Sequence, residues 1–342
     1  LLLTASVSGN MNQLKMQPFV IEVPGAVKLE ASGEMEAVMD SIRRSGEMKL
    51  SMKTGKLGFM LKLMDANNRD RYLIPEGVTL SGLATLAQRR YHTEIKMEHL
   101  AGQIRLNGDF DQTAMNYQAS LEIDSLIPTH FMPKDSLYWL TAALQIEGKG
   151  ISPFDSATHA SLQGKIADIR FGTASVSGIQ LDGSLKNHLL QIDLKSQYPL
   201  AKFDMSLNAS LYEKNIKGML IADVTHADLH RMNLVDKPFS TSFQLFAEAE
   251  SDTGDNNKVD ISLGNWEIET AKGVFRPKML TLQALTDPDT TRVSFHAGDL
   301  GIVLTGNACI HELTDKLTLI SDDITRQFNQ DSMVNLNLLR PL

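Results

Sequence analysis

The residues best suited to bind a metal ion are two histidines four positions apart, His226 and His230, with Asp223 shortly before them. On one turn of a helix, imidazoles at this spacing can share a zinc ion. A zinc site also needs a third ligand, and the surrounding sequence does not supply one. The alternative is an aspartate that caps a short helical turn leaving a strand, with His230 on the exposed side. We therefore predict no metal and no cofactor.

Other motifs that carry chemistry are equally weak in this chain. Phosphate-binding loops, dinucleotide fingerprints and nucleophile elbows need glycines at set spacing between a strand and a helix. Gly148-Lys149-Gly150 lacks a third glycine and a following helix, and is typical of a hairpin turn. Residues 172–178 are serine-rich without elbow spacing, which indicates a strand edge. Trp139 and Trp266 lie inside strand patterns, where packing is the commoner role of tryptophan. We predict that the protein is not an enzyme.

The elements that carry these residues are predicted to be strands. From residue 48 to about residue 305, apolar and polar residues alternate with the period of strands that bury one face. Clusters of Gly, Asn, Asp and Ser separate the alternating stretches and are typical of turns, so hairpin should follow hairpin. The pattern is clearest in residues 117–124, 140–147, 190–194, 203–211, 243–247 and 259–263.

Two regions depart from this pattern. In residues 34–44 the apolar residues also fit helical spacing, although strand remains our prediction there. From His311 to about Gln330, apolar residues recur every three or four positions, which predicts one amphipathic helix.

A unit of about one hundred residues occurs twice in the sequence. Residues 117–133 and 216–238 both consist of a strand, an aspartate and a short helical segment, and a further strand follows each of them. We therefore divide the chain into an N-terminal β section (1–110), two β repeat units (111–210 and 211–310) and a helical segment (311–342) of one continuous elongated structure.

Composition excludes several classes of function. The 342 residues carry 33 Lys and Arg against 41 Asp and Glu, a net charge of −8, which argues against nucleic acid as a partner. The single cysteine, Cys309, allows no intramolecular disulfide. Only 6% of residues are aromatic while 16 are Met, so the apolar faces should be aliphatic and deformable. The chain starts at Leu1 without a leader pattern, and we expect it to be a fragment of a longer protein.

Several phrases of the sequence resemble one known family. Four segments are similar to the AsmA-like, TamB-type translocation and assembly module proteins of Gram-negative envelopes, in particular their Bacteroidetes-type members. They are the strand–turn–strand segments 106–110 and 179–185, the strand–Asp–short-helix segment that ends at Lys237-Pro238, and the segment 324–330. The chain would be an interior section, since it has neither an N-terminal membrane anchor nor a recognisable module for docking to an outer-membrane barrel.

The resemblance implies a periplasmic protein that is anchored to the inner membrane when full-length. It implies a mainly β fold: an elongated, curved antiparallel or mixed sheet that forms an open apolar trough shaped like a taco shell, with short helical turns. It also implies a role in phospholipid transport to the outer membrane and in outer-membrane protein assembly. The expected partners are phospholipid or another acyl-chain ligand and outer-membrane β-barrel proteins, with membrane contact only through parts outside this chain.

The physics of the alternating strands is compatible with such a trough. Their sheet has one apolar face, which must meet another sheet, a helix or a ligand. Acyl chains could fill an unclosed trough at about 0.8 kcal/mol per buried methylene, without specific polar contacts. The predicted lining is the alternate-residue set Leu121, Ile123, Leu144, Ile146, Ile192, Leu194, Met205, Leu207, Leu245, Ile261 and Leu263.

Two alternatives remain open from the sequence. The same residues could form the dry core of a β-sandwich that serves as an adhesion or carbohydrate-binding module. Sandwiches usually have more aromatic residues and clear domain linkers, and this sequence shows neither. The chain could also be a structural spacer.

Overall fold

The computed structural model describes residues 2–10, 12–57 and 71–307. These residues form 21 β-strands and one turn of 3₁₀ helix at Pro128–His130. The strands are β1 (Leu2–Thr4), β2 (Val7–Gly9), β3 (Gln13–Val23), β4 (Val27–Glu36), β5 (Ser45–Thr54), β6 (Thr79–Ala87), β7 (Arg90–His99), β8 (Gly102–Asp111), β9 (Asn116–Leu126), β10 (Leu137–Lys149), β11 (His159–Phe171), β12 (Ala174–Lys186), β13 (Leu189–Tyr198), β14 (Ala201–Tyr212), β15 (Asn215–Asp228), β16 (Phe239–Ser251), β17 (Asn257–Thr270), β18 (Gly273–Phe275), β19 (Leu280–Thr286), β20 (Thr291–Ala297) and β21 (Leu300–Gly306).

The strands form one antiparallel meander. Nearly every strand pairs with its neighbours in the chain; at the two ends, β1 and β2 share β3, and β18 and β19 share β17. The result is one long, curved, unclosed sheet, which confirms the mainly β trough predicted from the sequence. Counting β18 and β19 as one position, the ladder from β3 to β21 has eighteen positions. At about 4.8 Å each, the trough is roughly 80 Å long.

Alternation gives the sheet two unlike faces. In β9, Leu121 and Ile123 are half-buried while Glu122 and Asp124 are exposed. Residues directly opposite one another in an antiparallel pair point to the same side, so the register extends this division from strand to strand. We call the apolar, more sheltered side the inner face and the polar side the outer face.

The trough has hardly any closed core. Within the described ranges, only a few apolar side chains are buried, and they are small or lie near strand ends: Ala26, Leu57, Val78, Ala101, Leu126, Ala174, Ala201, Ala222 and Met232. In the described part of the chain all strands belong to a single sheet, so no second sheet covers the inner face. Most inner-face side chains are therefore sheltered only by their neighbours on the same face.

The strand ends form two lips that differ in their connections. The capped lip includes the connections at 100–101, 127–136, 172–173, 199–200 and 229–238. The uncapped lip has short turns at 88–89, 112–115, 187–188 and 213–214, and longer connections at 37–44, 150–158 and 252–256. Asn187 and His188 both have positive φ, at 50° and 65°, as a two-residue turn with the twist of a β-hairpin requires.

The remaining sequence predictions can be located on the described strands. The section boundaries near residues 110 and 210 fall inside β8 and β14, where the strand pairing is continuous. Of residues 34–44, only those up to Glu36 are strand; Asp40 then organises a turn by accepting the backbone N–H groups of Ile42 and Arg43. The predicted helix from His311 lies outside the described residues. No helix in the described ranges has the length and apolarity needed to cross a membrane.

Candidate functional site

The inner face is built of rows of apolar side chains that run across the ladder. The central row contains only apolar residues and glycines directly opposite one another: Phe19, Ala31, Leu50, Gly82, Ile95, Leu106, Leu121, Leu144, Gly164, Leu181, Leu194, Met205, Ala222, Leu245, Leu263, Leu280 and Ala297. One polar residue in this row would interrupt the apolar surface, and none does.

All eleven residues predicted to line the trough lie on this face. Six belong to the central row: Leu121, Leu144, Leu194, Met205, Leu245 and Leu263. Four belong to a second row, one step nearer the uncapped lip: Ile146, Ile192, Leu207 and Ile261. Ile123 lies one step nearer the capped lip, opposite Ile104 and Ala142. The sheet brings the set together, and its role in lipid binding stays a prediction.

Glycine occupies a position on the inner face where a side chain would crowd its neighbours. Gly164 lies directly between Leu144 and Leu181 in the central row. A Cβ atom at this position would lie 3.1 Å from Leu144 Cδ1 and 3.3 Å from Leu181 Cβ, closer than ordinary van der Waals contact. The side chains of the two leucines therefore occupy the space that a side chain at Gly164 would need.

A third row at the uncapped lip carries aromatic residues that were not in the predicted lining. Tyr91, Phe110 and Tyr117 lie directly opposite one another, and the rings of the first two are 6.1 Å apart. They line a cleft of about 850 Å³ together with Ala160 and Leu185. The position of Tyr117 on the inner face could have been predicted from the sequence, because Tyr117 is four positions before Leu121 in the alternating pattern of β9.

The first of two segments that close the capped lip is cap 1, residues 127–136, which includes the 3₁₀ turn. Ile127 N–H donates to Ala101 O at 2.7 Å, and Leu73 N–H donates to Phe131 O, also at 2.7 Å. Cap 1 therefore extends from the end of β9 past the ends of β8 and β7 to the segment before β6. Ala101, beneath it, is fully buried.

The second closing segment is cap 2, residues 229–238. Asn233 Nδ2 donates to Thr173 O at 3.2 Å, and Thr173 Oγ1 donates to Asn233 O. These hydrogen bonds attach cap 2, which follows the end of β15, to the turn between β11 and β12. Ser196 and Ala201, inner-face residues at the ends of the intervening strands, are 0% and 6% exposed. Cap 2 therefore shelters the inner face at this lip.

The outer face is covered by exposed ion pairs between neighbouring residues. Lys195 Nζ lies 3.1 Å from Asp204 Oδ2, and the hydrogen bond to this carboxylate raises the pKa of Lys195. The His92 ring lies 2.8 Å from Asp109 Oδ1 and 3.1 Å from Glu94 Oε1, and these hydrogen bonds raise the pKa of the imidazole. Such pairs keep the outer face hydrated, but each adds little to stability.

The histidine pair does not have the geometry of a zinc site. Strand β15 continues through His226 to Asp228, so His226 and His230 do not share a helical turn. Asp228 Oδ1 accepts the N–H of Arg231 at 2.8 Å, which makes it the cap of the short turn that follows. His230 is half-buried rather than exposed, with Nδ1 3.2 Å from Val235 O. In the described ranges, no group of three or more His, Cys, Asp or Glu residues could hold a metal ion.

Trp266 lies at an irregularity rather than inside a regular strand. Between Ser242 and Gln244 on β16 the pairing with β17 shifts, and two residues, Asn265 and Trp266, lie opposite one. Trp266 Nε1 donates to Thr241 Oγ1 at 3.0 Å, so the polar end of the indole is satisfied within the sheet. Trp266 is thus half-buried at a β-bulge.

Comparison of the chain with protein-family models, with curated proteins and with solved structures gave no match in any of the three.

Proposed function

We propose that this protein is a non-enzymatic section of a cell-envelope protein that binds or conducts phospholipid acyl chains on the inner face of its trough. The observation that carries the proposal is the central row, which stays apolar from Phe19 to Ala297 on a face that no second sheet covers in the described residues. In a closed domain this amount of apolar surface would be buried in a core.

Hydrocarbon chains fit this face in both length and chemistry. Each methylene removed from water contributes about 0.8 kcal/mol, and no polar partner is needed. The lining is aliphatic, with Met205 in the central row and other methionines on β3, β4, β5 and β7, and such side chains adapt to a flexible ligand. A trough roughly 80 Å long offers room for several acyl chains in sequence.

The cellular part of the proposal follows from the family resemblance. In the full-length protein we place this section in the periplasm, anchored to the inner membrane through other parts. Its function there would be phospholipid transport to the outer membrane, assembly of outer-membrane proteins, or both, with outer-membrane β-barrel proteins as further partners.

The sandwich alternative needs a second sheet packed on the inner face. The described strands form one sheet, so an adhesive or carbohydrate-binding role would have to be carried by the exposed surfaces of that sheet. No feature of the outer face favours this role over that of a hydrated exterior.

Native mass spectrometry of the protein purified without detergent, combined with lipid extraction, tests the proposal. We expect phospholipid to co-purify at a reproducible stoichiometry and labelled phospholipid to bind after delipidation. The wild-type protein is compared with a variant in which Leu121, Leu194 and Leu245 are all changed to Ser, because these substitutions remove apolar surface from the central row. A folded wild-type protein that neither carries nor takes up phospholipid would contradict the proposal.

A further inference from the structure

Cap 2 is a compact turn that is firmly attached to the sheet at one end only. At its root, where it joins β15 and β16, Leu229 N–H donates to Phe239 O at 3.0 Å. Within the turn, Met232 N–H donates to Asp228 O at 3.0 Å and Leu234 N–H donates to Leu229 O at 2.8 Å. None of these backbone hydrogen bonds involves β11 to β14, the strands whose ends cap 2 reaches or crosses.

The far end of cap 2 is held by two hydrogen bonds that side chains donate. Both of them join Asn233 to Thr173. Among the residues that the structure describes, cap 2 makes no other hydrogen bond or ion pair with β11 to β14 or with the turns between these strands. A segment with one firm root and so few remote contacts can open locally at a small fraction of the free energy of global unfolding.

One apolar side chain of cap 2 is buried. Met232 is 8% exposed, whereas Arg231 before it and residues 233–238 after it are exposed. The inner-face residues that cap 2 shelters, Ser196 and Ala201, are both small. Small side chains leave space above the inner face, and methionine, which is unbranched and flexible, fills irregular apolar space. The burial of Met232 is therefore what cap 2 contributes to the apolar interior of the trough.

The residues that cap 2 shelters are continuous with the apolar rows of the inner face. Ser196 lies directly opposite Phe203, and Phe203 lies directly opposite Val224. One step further along β13 and β14 is the central row, where Leu194 lies opposite Met205. A hydrocarbon chain on the central row at these strands would thus lie one step from the residues beneath cap 2.

We propose that cap 2 is a lid over the hydrocarbon site, and that Met232 occupies in the closed state the space that the end of an acyl chain takes when the lid opens. This inference rests on the proposed function, because it concerns the acyl chains that the inner face would bind. It adds the place of entry and a residue that competes with the ligand. Since the ligand and Met232 cannot share one space, ligand binding and lid opening favour each other.

A reversible cross-link tests whether the lid must open. Thr173→Cys and Asn233→Cys are combined with Cys309→Ser, which removes the single native thiol. Oxidation joins the two new cysteines and reduction releases them, so the same protein is measured with its lid locked and unlocked, and its intact mass confirms the bond. The matched control is Gln191→Cys/Asn208→Cys in the same background, a directly opposite pair on the exposed outer face.

The probe is phosphatidylcholine with a nitrobenzoxadiazole fluorophore on one acyl chain, delivered from vesicles of unlabelled phosphatidylcholine. We expect the locked protein to take up the probe about tenfold more slowly than the same protein after reduction, because uptake has to wait for the lid. The control pair should take up the probe at one rate in both redox states.

Truncation of Met232 tests the competition without a cross-link. Met232→Ala removes the side chain that fills the space beneath the lid, and Met279→Ala, at a methionine that is 61% exposed and outside cap 2, is the matched control. We expect Met232→Ala to take up the probe several-fold faster than wild type, and Met279→Ala to match wild type. Circular dichroism establishes that both variants are folded.

The outcomes separate the lid from the proposed function. Equal uptake by the locked and the reduced protein would overturn the lid and leave the proposed function standing. Slower uptake by Met232→Ala than by wild type would overturn the competition, because Met232 would then assist binding. Wild type that takes up no probe at all would count against the proposed function itself.

Discussion

Asn233 and Thr173 are sixty residues apart in the chain, yet each donates a hydrogen bond to the backbone carbonyl of the other. The pair fastens cap 2 to the turn between β11 and β12. Between these two elements lie the ends of β13 and β14, so the contact spans several strands of the sheet. Cap 2 is therefore held against this lip by side-chain hydrogen bonds as well as by its backbone connection to β15 and β16.

The fastening of cap 2 can be weakened from either side. Thr173→Val removes the hydroxyl donor, and Asn233→Gly removes the amide donor while tolerating the φ of 59° at that position. We expect each change to cost about 1 kcal/mol in the local opening free energy of cap 2. Hydrogen exchange of peptides covering residues 229–238 should accelerate, while peptides of cap 1 stay unchanged. Unaltered exchange in cap 2 would show that these bonds do not hold it.

Charged substitution on the inner face distinguishes a trough from a closed core. Leu194 is half-buried between Leu181 and Met205, and Leu245 occupies an equivalent position in the central row. We expect Leu194→Glu and Leu245→Glu to remain folded, with a loss of about 1–2 kcal/mol, because the carboxylate can reach water.

The same two variants should retain less lipid after purification, since a charge in the row interrupts the apolar surface. Circular dichroism reports the fold and lipid extraction reports the loss. Asn208→Glu, on the exposed outer face of β14, is the control and should change neither. Unfolding of both inner-face variants would indicate a sealed core instead of a trough.

Two glycines in the third row, at the uncapped lip, should respond differently to substitution by alanine. A Cβ atom at Gly148 would lie 2.5 Å from His159 O and 2.6 Å from Tyr117 Oη, whereas at Gly218 the nearest atom is Ala209 Cβ at 3.7 Å. We expect Gly148→Ala to destabilise the protein by about 1–3 kcal/mol through overpacking.

Gly218→Ala should be neutral or stabilise by up to about 1 kcal/mol, since it restricts the unfolded chain without creating a clash. Urea unfolding midpoints of the two variants measure the difference. Equal shifts for both would mean that the close approach at Gly148 is not a structural constraint.

The stability contributed by His92 should depend on pH. Hydrogen bonds to Asp109 and Glu94 raise the pKa of His92 above its ordinary value of 6.5. The protonated ring is thus favoured in the folded state, and its contribution is complete below pH 6.5 and lost as the pH rises through the raised pKa. We expect a few tenths of a kcal/mol, since the site is exposed.

Unfolding of wild type and His92→Gln at pH 5.5 and at pH 9 measures this contribution. The two proteins should differ at the lower pH and converge at the higher one. In an NMR titration, Asp109→Asn should lower the pKa of His92, because it removes the larger of the two hydrogen-bond contributions. A difference that is constant with pH would exclude His92 protonation as its origin.

The inner face could be predicted from sequence because the side-chain period of a strand is strictly two. Leu121 and Ile123 share a face whatever their neighbours are, and the same holds along every stretch of strand that contains no β-bulge. Which residues become cross-strand neighbours depends on register, and register is set by turns and by irregularities such as the one at Asn265-Trp266. The rows themselves were therefore not predictable.

The caps show where pattern reasoning ends. An aspartate followed by a short turn was expected after β15, and Asp228 capping Arg231 is such a turn. That this turn would extend back to Thr173 depends on the curvature of the whole sheet, which no local pattern encodes. The zinc hypothesis fails for a related reason: a spacing of four positions is informative only on a helix, and β15 extends through His226.

The meander has a consequence for how such a chain can be made and lengthened. Nearly every strand pairs with the strand that follows it in the chain. Two such paired strands are therefore separated in the sequence by only one connecting segment. Stability then accumulates between nearest neighbours, as in solenoid proteins, and order can spread from one hairpin to the next in the sequence order of synthesis. Each added hairpin would extend the trough by about 10 Å without altering any existing pair. The length of the structure can thus be adjusted in evolution by duplicating pairs of strands, each of which lengthens the sheet by the same amount.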